Sequence, residues 1–271
     1  MAQAARTEKT VNEFSISRAA DSVFKSDGLR AFLEYRDLGI KDATGGRWRA
    51  SVSHSLRAMP GGTGRHFHTL DVQVVYVLKG WAVFEYAQFG EVKCGPGDCI
   101  NQPSGIVHQQ TDRSADCYVL EVVAPLDFPT YDSEPKPFVE PDPSTGRVDK
   151  YSVSYAAETP FTAHPLRPWL ERRDLGIAHA TGGRVNAHVS RCREPMPGPT
   201  GLHSHDLDFQ MVYVLSGTCR FDYGPHGVHD LVAGDCVHQP PGVPHDLVAR
   251  SMDCQILEIT SPAEFATREL R

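Results

Sequence analysis

The residues in this chain best suited to chemistry are two pairs of histidines spaced i and i+2, His66-Phe67-His68 and His203-Ser204-His205. On a β-strand, alternate side chains face the same way, roughly 7 Å apart along the backbone, so two imidazoles can converge on one cation. Five residues beyond each pair stands a glutamine, Gln73 or Gln210, opening an apolar run that ends at Gly80 or Gly217. Simple alternation puts positions 68 and 73 on opposite faces, so a turn or bulge must lie between them. A third histidine follows a Gly-Asp turn and a Pro-x-Gly turn in each case. His108 comes after Gly97-Asp98 and Pro103-Ser104-Gly105, and His245 after Gly234-Asp235 and Pro240-Pro241-Gly242.

The elements that carry these residues are written twice. Arg36-Asp37-Leu38-Gly39-Ile40 recurs as Arg173-Asp174-Leu175-Gly176-Ile177, and Ala43-Thr44-Gly45-Gly46-Arg47 as Ala180-Thr181-Gly182-Gly183-Arg184. Tyr76-Val77-Leu78, Gly97-Asp98-Cys99 and Glu121 return at the same offset as Tyr213-Val214-Leu215, Gly234-Asp235-Cys236 and Glu258. A period this long marks a copied domain rather than a solenoid. The expected organisation is a tail over 1–13, domain one over 14–125, a proline-rich extended connector over 126–150, domain two over 151–262 and a tail over 263–271. Within each copy, short β-rich runs such as Gln73–Leu78, Ala82–Tyr86 and Cys117–Val123 alternate with Gly and Pro turns, the pattern of a sandwich or barrel. Short helices are expected only near Asp27–Glu34 and Ala263–Leu270.

These residues resemble the two motifs of the cupin superfamily, G(x)5HxH(x)3–4E(x)6G and G(x)5PxGxxH, in both copies. The resemblance implies an all-β chain of two tandem cupin jelly-roll β-barrels, a bicupin, each with a divalent metal in its mouth. It assigns His66, His68, Gln73 and His108 to one metal and His203, His205, Gln210 and His245 to the other. Glutamine replaces the family's usual glutamate in both sets. Three imidazoles and an amide are neutral, so the full charge stays on the metal. Such a centre should hold metal less tightly, act as a stronger Lewis acid and favour an anionic or enolisable ligand. It also lacks the carboxylate that some flavonol-cleaving cupins use as a base. Asp71 and Asp208, two positions before each glutamine, are substitutes for it or simply turn residues. Gln102 and Gln239, just before the prolines, are candidates to orient a ligand histidine. Fe(II) is the favoured ion, with Mn, Ni and Zn open.

Composition narrows the partners. With 271 residues, 40% hydrophobic and 23% charged, the chain reads as soluble and globular. Its formal charge of −7 argues against nucleic acid or an anionic membrane as partner. The first fifteen residues show no apolar signal region, and a cytoplasmic location is the default expectation. Seven cysteines without Cys-x-x-Cys spacing read as reduced, buried thiols, Cys99, Cys117, Cys236 and Cys254 among them. Histidines 54, 164, 179, 188, 226, 229 and 238 lie outside the ligand sets. Three of them, His226, His229 and His238, have no counterpart in copy one; they mark copy two as the catalytic one or are surface and turn residues. Arg47 and Arg184 either bind a substrate carboxylate or pair with the acids of the repeated Arg-Asp-Leu-Gly-Ile segment. Tyr76 and Tyr213 read as packing.

The expected function is that of a metal-dependent enzyme acting on a small anionic or enolisable substrate, with a non-haem dioxygenase as the leading reading. A metal-dependent isomerase, cyclase or lyase is the alternative, since bicupin isomerases and uronate-ring-opening cupins also combine three histidines with a glutamine. A non-catalytic ligand-binding cupin is the third. A homodimer is expected from the way cupin sheets pair, although the two copies can meet that need within one chain.

Overall fold

The computed structural model describes residues 11–270 apart from 27–29, 31, 60, 133–137, 142 and 166. Each copy folds as a large antiparallel sheet facing smaller antiparallel ones, a single sheet in copy one and a two-stranded and a three-stranded sheet in copy two. In copy one the large sheet runs Cys99–Asn101, Val72–Lys79, Tyr118–Ala124, Arg49–Ser55, Leu33–Asp37 from one edge to the other. The facing sheet runs Thr130–Asp132, His66–His68, His108–Arg113, Ala82–Tyr86, Gly90–Cys94. Copy two repeats the plan, with Cys236–His238, Phe209–Ser216, Gln255–Ser261, Asn186–Cys192, Arg167–Asp174 and Thr162–His164 in its large sheet.

The large sheets are apolar on both faces, which explains their unbroken hydrophobic runs. One face of Val72–Lys79 sends Val75 and Val77 into the interior of copy one, where they pack with Phe84, Tyr86, Ile100 and Val119. The other sends Val74 and Tyr76 into a core shared between the copies. That core joins Ala50, Val52, Leu120 and Val122 to Val189, Met211, Leu257 and Ile259, and Trp48 stacks on Phe209 with ring centroids 4.1 Å apart at 8°. The sheet pairing expected of a homodimer is thus met between the two halves of one chain.

The halves also exchange strands. Ser15–Ser17 pairs with Cys236–His238 at the edge of copy two's large sheet, and Ser152–Ser154 pairs with Cys99–Asn101 at the edge of copy one's. The repeated motifs hold the exchange in place. The Asp98 carboxylate accepts the Ala156 N–H and Asp235 accepts that of Ala19, each at 2.7 Å. The buried Arg36 donates to the Gly234 carbonyl (2.7 Å) and Arg173 to that of Gly97 (2.8 Å). Asp37 and Asp174 do not pair with the neighbouring Arg47 and Arg184. Each instead accepts the N–H of Gly39 or Gly176 at 2.8 Å, the left-handed residue that starts a short helix, Ile40–Ala43 or Ile177–Thr181.

Both helices expected near the ends of the copies are corrected. Ala266–Glu269 is a strand paired with His203–Asp206, and Leu33–Asp37 is a strand paired with Arg49–Ser55. Residues 27–29 and 31 of the second segment lie outside the described residues. In both places an open sheet edge offers more backbone hydrogen bonds than a lone helical turn keeps, so pairing overrides local propensity. Within the connector over 126–150, Thr130–Asp132 docks as a strand on His66–His68, and Pro143–Thr145 makes a single tight helical turn. The seven cysteines are free and buried. Among the described residues, no helix is long and apolar enough to cross a membrane.

Candidate metal centres

The parity conflict between positions 68 and 73 resolves at a change of sheet. His66–His68 lies in the small sheet and Val72–Lys79 in the large one, and residues 69–71 cross between them. His108 returns opposite His66, and His245 bridges to His203 in the same way. Two triads result, His66, His68, His108 and His203, His205, His245, with the ligand atoms of each within 4.8 Å of one another.

The fit of these triads to a cation rests on their ring orientation. His66 donates Nδ1–H to the Gly64 carbonyl at 2.8 Å, and His108 donates to that of Ile106 at 2.9 Å. His203 and His245 do the same to Gly201 (2.7 Å) and Val243 (3.0 Å). A carbonyl only accepts, so four rings are fixed with Nε2 as the lone-pair nitrogen, the tautomer a metal requires. The remaining two, His68 and His205, pair through Nδ1 with the hydroxyls of Thr130 (2.9 Å) and Thr267 (3.0 Å). Phe128 and Phe265 pack edge-on against the same two rings. Burial, with help from neighbouring histidines, pulls His68, His205 and His245 down to about 4 and His108 to about 3. Those rings therefore stay neutral and ready to ligate at ordinary pH.

Gln73 and Gln210 are buried beside the triads, and their backbone carbonyls accept the N–H of Gln102 and Gln239 at 2.9 Å. Their side chains reveal a partner that sequence reading left unassigned. Gln73 Nε2 donates to Glu121 Oε1 at 3.0 Å, and Gln210 Nε2 to Glu258 Oε1 at 3.4 Å. The carboxylate holds the amide nitrogen of each side chain. The signal was present in the repeat of Glu121 as Glu258. What was missing was the register that sets strand Tyr118–Ala124 beside Val72–Lys79, with Val123 opposite Gln73 and Glu121 one alternate residue along on the same face.

The two centres differ around that glutamate. Glu121 pairs with Arg49 at 3.1 Å. Copy two has Asn186 in place of that arginine and brings buried His188 to 3.8 Å from Glu258, where copy one has Ser51. Low-dielectric surroundings push the Glu258 carboxyl up, but His188, Arg172, His205 and His245 outweigh them and hold it below the usual carboxylate range.

The other candidates fall outside the centres. Asp71 pairs with Arg147 at the surface and Asp208 is exposed, which is the turn role. Gln239 donates its side-chain amide to Tyr223 (3.1 Å), and among the described residues neither it nor Gln102 bonds a ligand ring through its side chain. Arg184 holds the Asp71 carbonyl and Asp149, and Arg47 holds the carbonyls of Thr44 and Val11. The histidines special to copy two secure the exchanged N-terminal segment. His226 stacks on Phe14, His229 bonds Arg18, and His238 sits between Asn12 and the Gln210 carbonyl.

The fold and sites together define a duplicated jelly roll with one histidine triad per copy. Residues 194–260 match the cupin domain family, and a search by sequence among curated proteins finds no match. Among solved structures, oxalate decarboxylase of Bacillus subtilis at pH 4.6 superposes with TM-score 0.66 and 14% identity, covering 96% of this chain and 79% of that one. A Trp-to-Phe variant of that enzyme matches with TM-score 0.66 and 15% identity, over 96% and 80%. A third structure, described for the Mn(II) centres of the same enzyme, matches with TM-score 0.66, 13% identity and the same coverage. The family match thus covers part of copy two, and the structural matches show that the chain has the tandem jelly-roll fold.

Proposed function

We propose that this protein is a metal-dependent bicupin enzyme that binds a small anionic organic substrate at a divalent ion and moves a proton to or from it, as lyases and isomerases do. The observation that carries the reading is the glutamate behind each glutamine. A neutral set of three histidines and one glutamine leaves positive charge for an anionic or enolisable substrate. When bound, the ion would act as a Lewis acid toward a carboxylate or enolate oxygen. His66, His68, Gln73 and His108 would hold one ion, and His203, His205, Gln210 and His245 the other. Glu121 and Glu258 orient the glutamines and place a carboxylate beside each triad, where it serves as the proton acceptor or donor. The Mn(II) centres described for the structurally similar decarboxylase make Mn, with Fe(II), the first ion to supply. Three histidines also leave room for an organic chelate together with O2, which favours a dioxygenase as the second reading.

The test is turnover of the Mn- and Fe-loaded protein on small carboxylates, hydroxy-acids and diketones, with dissolved oxygen followed throughout. Turnover without oxygen consumption that falls at least a hundredfold in Glu258→Gln or Glu121→Gln supports proton transfer. Stoichiometric oxygen uptake, or activity unchanged in both variants, refutes it.

A further inference from the structure

A cavity of about 590 Å³ lies at the seam between the copies, at the far end of Val72–Lys79 from Gln73. None of its walls is a ligand or a glutamate of the metal centres. Aromatic rings form much of it, among them Tyr76, Tyr118 and Phe161, and three cations reach it, Lys79, Arg173 and Arg191, with no carboxylate in the lining. On a chain of formal charge −7 this is a local reversal of sign.

The cations are not equivalent. Lys79 and Arg191 each have an acidic partner beside the cavity, Asp116 for the lysine and, at 2.9 Å, Glu171 for the arginine. Arg173 is 3% exposed and forms no ion pair among the described residues. One nitrogen, Nη2, donates to the Gly97 carbonyl and more weakly to the Tyr76 hydroxyl, while Nη1 has no hydrogen-bond partner among the described residues. Its counterpart Arg36 has both terminal nitrogens engaged and only Nε without a partner among the described residues. Arg36 spreads its bonds over two nitrogens, to the Gly234 carbonyl and to the carbonyl and hydroxyl of Ser17. In copy two the matching serine, Ser154, pairs with Thr159 instead. A buried guanidinium with a spare donor is costly unless an anion completes it.

The chemistry of a ligand follows from these walls. Arg191 lies 3.9 Å over the Phe161 ring and Lys79 5.7 Å over that of Tyr118, so cations and aromatic faces alternate around the opening. A flat apolar body would pack against these aromatic walls, and its charge would meet the guanidinium. The volume is that of an ordinary small-molecule site. We propose that this seam cavity is a binding site for a small aromatic carboxylate, separate from both metal centres and touching both copies at once.

The experiment is calorimetric titration of the full, metal-loaded chain with benzoate and with its neutral isostere benzamide. The expected result is one benzoate site per chain that the cavity variants below remove, with benzamide bound there at least tenfold more weakly. Gln255→Trp should abolish the binding by filling the cavity while leaving the metal content unchanged. The fold has room for an aromatic there, since the equivalent position in copy one is Tyr118. Arg191→Gln should weaken benzoate at least threefold and serves as a second variant if the tryptophan impairs folding. Absence of binding at millimolar benzoate, equal affinity for benzamide, or benzoate binding undiminished in either variant would overturn the proposal, the last by placing the anion at the metal centres.

Discussion

Replacing Thr267 by valine should weaken metal binding in copy two and leave copy one unchanged. The hydroxyl of Thr267 is 3.0 Å from His205 Nδ1, and valine keeps the shape of threonine while removing that oxygen. A hydrogen bond of this kind contributes about 0.5–1.5 kcal/mol. The His205 ring also loses a partner that orients it, and losses of such outer partners weaken metal binding roughly 10–100-fold. The two estimates meet at about 1.4 kcal/mol, a tenfold rise in the dissociation constant of one site. Thr130→Val makes the same cut at His68, where the separation is 2.9 Å, so each variant is the other's control. Titration of Mn(II) against a competing chelator, read as two sites per chain, measures the effect. One site weakened about tenfold in each variant, and a different site in each, is the expected outcome. If both sites keep their wild-type affinity within twofold, the threonines do not set the ligand geometry and the orientation argument fails.

Trp48→Ala should destabilise the chain by about 3–5 kcal/mol, because Trp48 stacks on Phe209 in the core shared by the copies. Thermal unfolding followed by tryptophan fluorescence should still show one transition, since the sheets are interleaved; two separate transitions would contradict the shared core. His164 is buried, and that burial, followed by Arg172 and Arg167, lowers it from 6.5 to about 4. The unfolded chain therefore takes up a proton between pH 6.5 and 4 that the folded chain refuses, so this contribution to stability is complete above pH 6.5 and drains away as the pH falls through that window. Allowing for solvent screening, about 1–2 kcal/mol is involved. Denaturant midpoints at pH 7 and pH 4.5 should converge in His164→Gln relative to wild type, and an unchanged pH dependence would exclude His164 as the source.

Much of this architecture was legible in the sequence because the chain states it twice. The histidine spacing, the Gly-Asp and Pro-x-Gly turns and the apolar strand runs each carry a local rule, and repetition at one offset removed the ambiguity of any single instance. Residues whose role depends on a neighbour far along the chain were not legible. Glu121 reads as an ordinary strand residue until register sets it beside Gln73, and Thr130 lies in a proline-rich stretch that looks like a simple connector. The same holds for Ala266–Glu269, which has no helical or strand signal strong enough to compete with the open edge beside His203. His226, His229 and His238 left two readings open, a catalytic mark or a surface and turn role, and register alone supplies their neighbours in space, Phe14, Arg18 and Asn12.

The reciprocal strand exchange has a consequence for how the chain is made. Ser15–Ser17 leaves the ribosome roughly two hundred residues ahead of Cys236–His238, the strand it pairs with. Copy one likewise lacks an edge strand until Ser152–Ser154 appears. Neither half can close its large sheet on its own, so the nascent first half must wait with open strand edges, the form most exposed to wrong pairing. Completion of the second half then closes both large sheets together, in one late step rather than in the order of synthesis.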